Sequence, residues 1–413
     1  MKNPLSVTEA LQKIDENSQE GKIINKNLTD AMNHVLSQEI KADRDLPPFN
    51  RSAVDGYAIR SEDLNGYILD TGGNPRADVK EFNILGTVLA GSHNTFAVKK
   101  DDCVHIMTGA AVPDGFDAVV KVEVSHGENG KVRFDKTSVE PWSNISRRGE
   151  DAKKGDTLVK PGMFVDPSMV HIAAACGINS LRVKEKPSVS LVTTGDELVS
   201  IEETPLPHQI RDSSSYSIEI LLKDYEMSFR TRIRARDIEK EIHTAIKEGL
   251  KSDILIVTGG VSMGVTDFVP EIFDRLGVKQ IFHKVKIKPG YPIWFGKSKN
   301  GCAVFGLPGN PVSTQIGFKV FVEPYIRKFM GMQPQEPVFL PLISDKTKKH
   351  DREEYAQAKI VNKDGKSFIQ PIKHHGSGDF VNLLGSNGLM IHPADVKTIR
   401  EGEYAAFLYW RSV

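Results

Sequence analysis

Cysteine is scarce in this chain. Three occur among 413 residues, Cys103, Cys176 and Cys302, far apart and odd in number. No C-x-x-C pair exists, so neither a disulfide framework nor a cysteine-ligated metal organises the fold. The three thiols are expected to be small buried groups in a reducing compartment. An excess of one charge is also missing. Lys plus Arg and Asp plus Glu number 54 each. No global basic field is present to hold nucleic acid, so any anion must be met by local groups. No run approaches the roughly 20 apolar residues of a membrane span. The start, Met1 to Val7, lacks the apolar core of a signal peptide, and the expected location is the cytoplasm. Neither a Walker A motif nor G-x-G-x-x-G occurs, which removes the usual nucleotide fingerprints. Tandem repeats and low-complexity tracts are absent as well.

What is present suffices for several packed cores. Hydrophobic residues make up 39% and charged residues 26%, ordinary for a globular protein. The length accommodates two to four domains. Ser6 and Glu9 form a capping box ahead of Ala10, Leu11 and Ile14, which predicts an opening helix. A second helical stretch is expected over 28–36. Pro47-Pro48 then forces an extended or turning chain, and Asp55-Gly56 reads as a turn. Between 80 and 140, strand-like runs such as Val88-Leu89-Ala90, 103–107, 118–122 and 131–134 alternate with turn residues. A helix follows around Pro167 to Cys176, with Gly177 as its stop. From 187 to 330 strands and helices alternate. Val189 to Val192, Phe229 to Ile233, Ile254 to Val257 and Ala303 to Phe305 predict strands. Helices are expected after Asp212 or Ser213, after Asp237, over 269–276 and after Asn310-Pro311. This order implies a doubly wound α/β domain. Short strands return from 331 to 413.

Four loops of that α/β segment carry the chemistry. They are Thr193-Thr194-Gly195-Asp196-Glu197, Thr258 to Gly264, Lys288-Pro289-Gly290-Tyr291-Pro292 and Leu307-Pro308-Gly309-Asn310-Pro311. The first, second and fourth directly follow predicted parallel strands. Ligands bind beyond the carboxyl ends of such strands, so these loops are expected on one sheet edge. Gly259, Gly260 and Ser262 allow a close backbone approach and free N–H groups. The helix beginning at Pro311 points its N-terminus at the same edge, and Lys288 adds a full charge. Asp196, Glu197 and Asp267 stand beside this anion site. Carboxylates next to a phosphorylated ligand repel it unless Mg²⁺ bridges the two.

The residues also carry a resemblance. Asn50-Arg51-Ser52-Ala53-Val54-Asp55-Gly56-Tyr57-Ala58 resembles the S-A-M-D-G-Y-A signature of the molybdopterin molybdotransferases, the MoeA and gephyrin E-domain family. Thr108-Gly109-Ala110 with Asp117 to Val120 resembles its T-G-A…A-D-A-V-V, and Arg147 to Asp151 its R-R-G-E-D. The loops at Thr194 to Leu198, Gly259 to Ser262 and Leu307 to Pro311 are similar to that family's as well. The similarity spans essentially the whole chain.

The resemblance implies the last step of molybdenum cofactor synthesis. Molybdate enters the dithiolene of adenylylated molybdopterin, and AMP is released with Mg²⁺. It implies a multidomain α/β plus β fold. An elongated N-terminal domain would take 1–50 and 141–184, a small β domain 51–140, a molybdopterin-binding α/β domain 185–330 and a C-terminal barrel-like β domain 331–413. The site residues carried over are Asp55, Thr108, Glu197, Asp267, Pro308 and Pro311, with Lys284 and Lys288 on the family's lysines. By physical role, Glu197 and Asp267 would hold Mg²⁺ and water, and Asp55 and Thr108 would orient molybdate. Thr194, Gly195, Gly259, Gly260, Ser262, Gly309 and Asn310 would contact the cofactor, as would Ser377 in a His375-Gly376-Ser377 segment resembling Q-G-S. The family forms homodimers whose active site lies between subunits. Expected partners are the upstream adenylyltransferase and molybdoenzyme apoproteins, with no nucleic acid and no membrane. Two departures stand out. Tyr291 replaces the second lysine of K-P-G-K-P, and Ser214 replaces the Asn of D-S-N. The rival readings are a molybdopterin adenylyltransferase and a non-catalytic cofactor-binding scaffold of the same fold.

Overall fold

The computed structural model describes residues 3–65, 80–136, 138–261, 268–373, 376, 378–381 and 384–411. The chain divides into two compact units. One comprises Met1–Ser37, Pro161–Asp166 and Ser180–Val413, the other Gln38–Lys160 and Pro167–Asn179.

The smaller unit is built on a six-stranded sheet. Its order is Ala118–Lys121, Gly56–Ile59, Asp102–Ile106, Phe82–Val88, Lys131–Phe134 and Ser125–Glu128. Both faces are apolar. Tyr57, Ile59, Phe82, Cys103 and Val120 fill one side, while Ala58, Val88, Val104, Ile106 and Val119 fill the other. Two expectations change here. Leu89 lies beyond its strand and is exposed. Asp55-Gly56 does not make a turn but opens a strand. A Cβ on Gly56 would sit 2.0 Å from the Val120 carbonyl oxygen, so glycine is required by strand approach. The helix Pro167–Ala175 forms as expected, and Gly177 follows it at φ +71°.

In the larger unit the Ser6–Glu9 capping box is formed. Glu9 N–H donates to Ser6 Oγ at 3.2 Å, and Ser6 N–H donates to Glu9 Oε2 at 2.7 Å. The helix predicted over 28–36 is largely replaced. A single 3-10 turn spans Thr29–Ala31, and Asn33 has φ +57°. Beyond it the chain is extended, because Leu36 N–H donates to Met163 O and Lys184 N–H to Val35 O. Pairing with distant segments overrides local helical periodicity.

The central sheet runs Phe229–Ala235, Val189–Thr194, Ile254–Thr258, Ala303–Leu307, Trp294–Lys297 and Lys279–His283. The first four strands are parallel, Trp294–Lys297 runs antiparallel to them, and Lys279–His283 pairs antiparallel with Trp294–Lys297. Alternate side chains enter two separate cores. Leu191, Ile256 and Phe305 pack with Ile218, Leu222 and Ile316. Val192, Leu255, Val257 and Val304 pack with Ile242, Ile246, Ile272 and Phe273. Burial on both faces is what a parallel sheet flanked by helices demands. The helix expected after Asp237 starts at Glu239 with Ile238 as an uncapped N-cap. Its first turn is tied instead by Arg236, whose Nε donates to Glu241 Oε1 at 3.1 Å.

C-terminal to this layer, a second sheet orders Ile287–Lys288, Glu353–Lys363, Gly388–His392, Tyr404–Tyr409 and Val338–Pro341. Lys366–Pro371 pairs with Glu353–Lys363, and a bridge from Leu342 to Ile369 joins the far edge back to it.

A buried ionic network ties the two layers. Lys319 Nζ donates to Glu323 Oε1 and Gln335 Oε1, both at 2.7 Å, and to Trp410 O at 3.0 Å. Tyr225 Oη donates to the same Glu323 oxygen at 2.9 Å. Desolvation pulls the Lys319 ammonium downward in pKa and pushes Glu323 up. The short mutual bond nevertheless keeps them an ion pair. Lys319→Met leaves Glu323 buried without its cation and is expected to cost about 3–5 kcal/mol. Lys319→Met with Glu323→Leu should recover most of that loss. Urea unfolding midpoints of the two variants check this, and equal midpoints would show that the pairing contributes nothing.

Candidate active site

Three strands of one direction end together, and their loops open onto one cleft of about 380 Å³. Thr194, Gly195 and Glu197 line it from the first loop. Thr258, Gly259, Gly260 and Val261 come from the second, and Pro308, Gly309, Asn310 and Pro311 from the fourth. The alignment expected from strand order is therefore present.

The glycines divide into two uses. Gly259 has φ +88°, and a Cβ there would lie 2.3 Å from Thr194 O. Its N–H donates to Leu307 O at 3.2 Å, and Gly195 N–H to Ala235 O at 3.4 Å. These two N–H groups knit neighbouring loops and are not available to an anion, which corrects part of the expected nest. Gly260 and Gly309 N–H groups make no hydrogen bond among the described residues. Thr194 beside Gly259 and Gly260 is buried, with an Oγ1 that has no partner among the described residues. A buried polar atom without a partner is costly. Asn310 is the N-cap and Pro311 the first residue of the following helix, as predicted. That helix adds a favourable dipole end.

The acidic residues separate by role. Asp196 Oδ1 accepts from Asp237 N–H at 3.0 Å and so braces the neighbouring loop. Glu197 is exposed in the cleft, and its carboxylate has no protein partner among the described residues. Asp212 is buried and fully used, accepting from Thr193 Oγ1 and Ser215 N–H, both at 3.1 Å. Ser214 lines the cleft directly after it. Asp267, Ser262 and Ser377 lie outside the described residues, as do His374 and His375.

Lys284 and Lys288 do not line this cleft. Lys288 ends a two-residue strand paired with Glu354, and Lys284 adopts φ +75° where the chain crosses to Leu5. From the third loop only Pro292 reaches the lining. Sequence reasoning missed Arg211, Asp212 and Asp237 as lining residues. The available signal was the position of the first two directly ahead of a predicted helix on the same sheet edge. The described residues contain no group of three His, Cys, Asp or Glu side chains placed to hold a metal. All three cysteines are buried and free.

In the smaller unit Asp55 and Thr108 are brought together. Asp55 Oδ1 accepts from Thr108 N–H and from Thr108 Oγ1, each at 2.7 Å. The backbone bond first, and then the hydroxyl, hold the Asp55 carboxyl below the ordinary Asp value. Its second oxygen remains available to solvent or ligand.

Comparison with known proteins supplies the identity of such an arrangement. Residues 5–177 match the MoeA N-terminal region (domain I and II), residues 190–328 a probable molybdopterin binding domain, and residues 340–410 the MoeA C-terminal region (domain IV). A molybdopterin molybdenumtransferase of Staphylococcus epidermidis is 32% identical over 404 residues, covering 97% of this chain and 94% of that protein. One from Bacillus subtilis is 30% identical over 416 residues, covering 99% and 95%. Among solved structures, a molybdopterin biosynthesis MoeA protein from Pyrococcus horikoshii superposes with a TM-score of 0.79 at 29% identity, covering 98% of this chain and all of that one.

The Asp55 pair yields a pH test. Its pKa is depressed, so the stabilisation from the Thr108 bonds is complete above the ordinary value of 3.8 and fades as pH falls through the lowered one. Thr108→Val removes the hydroxyl donor and keeps the N–H. The carboxyl should then titrate closer to 3.8, as read by carboxyl-carbon NMR. An unmoved titration would mean that the hydroxyl bond does not act on Asp55 in solution.

Proposed function

This chain belongs to the MoeA family of molybdopterin molybdenumtransferases, and on that premise we propose that its cleft holds adenylylated molybdopterin while molybdate is inserted. It is a transferase of molybdenum cofactor biosynthesis. The observation that carries the proposed reaction is the cleft itself. Two glycine N–H groups and the Glu197 carboxylate, without partners among the described residues, line one volume, with Thr194 among its lining residues. That set suits a phosphorylated anion accompanied by a hard cation.

The chain's own groups divide the work. Gly260 and Gly309 N–H groups, with the helix start at Pro311, take negative charge on the phosphoanhydride. Thr194 Oγ1 donates to a phosphate or pterin oxygen. Glu197, with Asp267, supplies oxygen ligands, and the Glu197 carboxylate, unpaired among the described residues, fits Mg²⁺, which binds one or two carboxylates plus phosphate oxygens. Bound there, Mg²⁺ would neutralise charge as the anhydride is cleaved and AMP departs. Asp55, kept ionised by Thr108, orients the incoming oxyanion or a water beside it. Lys284 and Lys288 supply longer-range positive charge, and Ser377 a further contact.

We read the subunit as four domains: 1–50 with 141–184, 51–140, 185–330 and 331–413. The match of three family segments along the chain supports this scheme. In this reading the protein is a cytoplasmic homodimer. Asp55 and Thr108 of one subunit complete the cleft of the other. No helix among the described residues is long and apolar enough to cross a membrane. The upstream adenylyltransferase and the molybdoenzyme apoproteins are the proposed partners.

Incubation of the purified protein with adenylylated molybdopterin, Mg²⁺ and molybdate should release AMP and load the cofactor. ATP-dependent adenylylation of molybdopterin would favour the adenylyltransferase reading instead. Glu197→Ala and Asp267→Ala are expected to abolish molybdate-dependent AMP release. Full turnover in both variants would sink the assignment and leave a binding scaffold.

A further inference from the structure

The cleft gathers carboxylates but a single cation. Glu197, Asp212 and Asp237 line it, and among its described lining residues Arg211 is the sole lysine or arginine. Arg211 belongs to a two-residue strand, Ile210–Arg211, that pairs in parallel with Leu198–Val199. Ile210 N–H donates to Glu197 O at 2.8 Å, and Asp212 N–H to Val199 O at 3.0 Å. This ribbon fixes the backbone of Arg211 close to that of Glu197. Their side chains nevertheless form no ion pair with each other. Two opposite charges held on one ribbon and left unjoined are each free for a ligand.

One bond restrains the Arg211 head. Its Nε donates to Glu203 O at 3.1 Å, and the side chain makes no other hydrogen bond or ion pair among the described residues. The Glu203 carboxylate is turned elsewhere, accepting from Ser200 N–H at 2.9 Å and from Arg234 Nη2 at 3.2 Å. Asp212, next in the chain, is committed to Thr193 Oγ1 and Ser215 N–H. A neutral carbonyl therefore holds the guanidinium without neutralising it. The two terminal nitrogens keep their donors, and that pair matches two oxygens of one phosphate. The glycine N–H groups and the helix start offer only partial charges. Arg211 adds a full one.

We propose that Arg211 is a substrate-binding residue of the cleft. Its terminal nitrogens grip two oxygens of one phosphate in the phosphoanhydride, while the bond from Nε to the Glu203 carbonyl aims them. Glu197, on the facing strand of the ribbon, is then left to the cation. The inference rests on the reaction proposed above. Two phosphates share this chemistry, the one that departs with adenosine and the one kept by the pterin, and the experiment separates them.

AMP release by the full-length protein is measured with adenylylated molybdopterin varied at saturating molybdate, and with AMP added as a product inhibitor. Arg211→Gln is expected to raise the KM for the pterin about tenfold, the worth of one hydrogen bond to a charged group. The KM for molybdate should stay where it is. Arg211→Lys keeps the charge without the fork and should recover only part of the loss. An AMP inhibition constant that rises in step with the pterin KM assigns the fork to the departing phosphate. A constant that stays fixed while the KM rises assigns it to the phosphate kept by the pterin. An unchanged pterin KM in Arg211→Gln, or full recovery in Arg211→Lys, would overturn the proposal. Phenylglyoxal labelling of the wild type needs neither a variant nor turnover. Inorganic pyrophosphate should slow modification of Arg211, located by peptide mass, and equal rates with and without it would refute the contact. Should the wild type release no AMP, the reaction reading fails on its own, and the labelling still decides the role of Arg211.

Discussion

The structure depends on burying both faces of a parallel sheet. Every residue of Val189–Thr194, Ile254–Thr258 and Ala303–Leu307 is buried. No loop can leave such strands sideways without carrying backbone polar groups into a core. The chain can exit only at strand ends, and parallel pairing puts the three carboxyl-terminal exits on one edge. The cleft follows from that packing. Its polar groups are gathered there because the apolar groups have filled everything else.

Close approach at that edge sets which groups remain for a ligand. Gly259 packs against Thr194 so tightly that its N–H is spent on Leu307. Beside it, Thr194 Oγ1 has no partner among the described residues. Asp196 braces an adjoining loop while Glu197, one residue later, faces the cleft. Neighbours in sequence thus acquire different chemistry from the direction in which a tight turn points them. The Asp55–Thr108 pair in the smaller unit follows a related rule, a carboxylate kept ionised by a backbone N–H and a hydroxyl.

Much of the fold was legible because its signals are local. The capping box at Ser6, the all-apolar strand Ile254–Thr258, and Asn310-Pro311 at a helix start each depend on a few adjacent residues. The failures share a physical origin. Residues 28–36 have helical periodicity, but Val35 and Leu36 pair with segments more than 120 residues away in sequence. Asp55-Gly56 looks like a turn, yet the glycine answers a carbonyl from another strand. Arg211 and Asp237 carry no motif, and only the sheet edge brings them to the cleft, whereas Asp212 opens the segment resembling D-S-N.

By itself the sequence determined the family, the alternation of strands and helices, and the loops that hold the chemistry. These rest on side-chain identity, short-range periodicity and turn residues, which are written residue by residue. Tertiary structure alone decided which N–H groups remain open among the described residues, which carboxylate of Asp196-Glu197 faces the cleft, and which cation lies over the Tyr291 ring. Those outcomes hang on contacts between residues far apart in the chain. Tyr291 illustrates the division. The sequence showed a ring where a lysine was expected, and only folding brought Arg352 over its face.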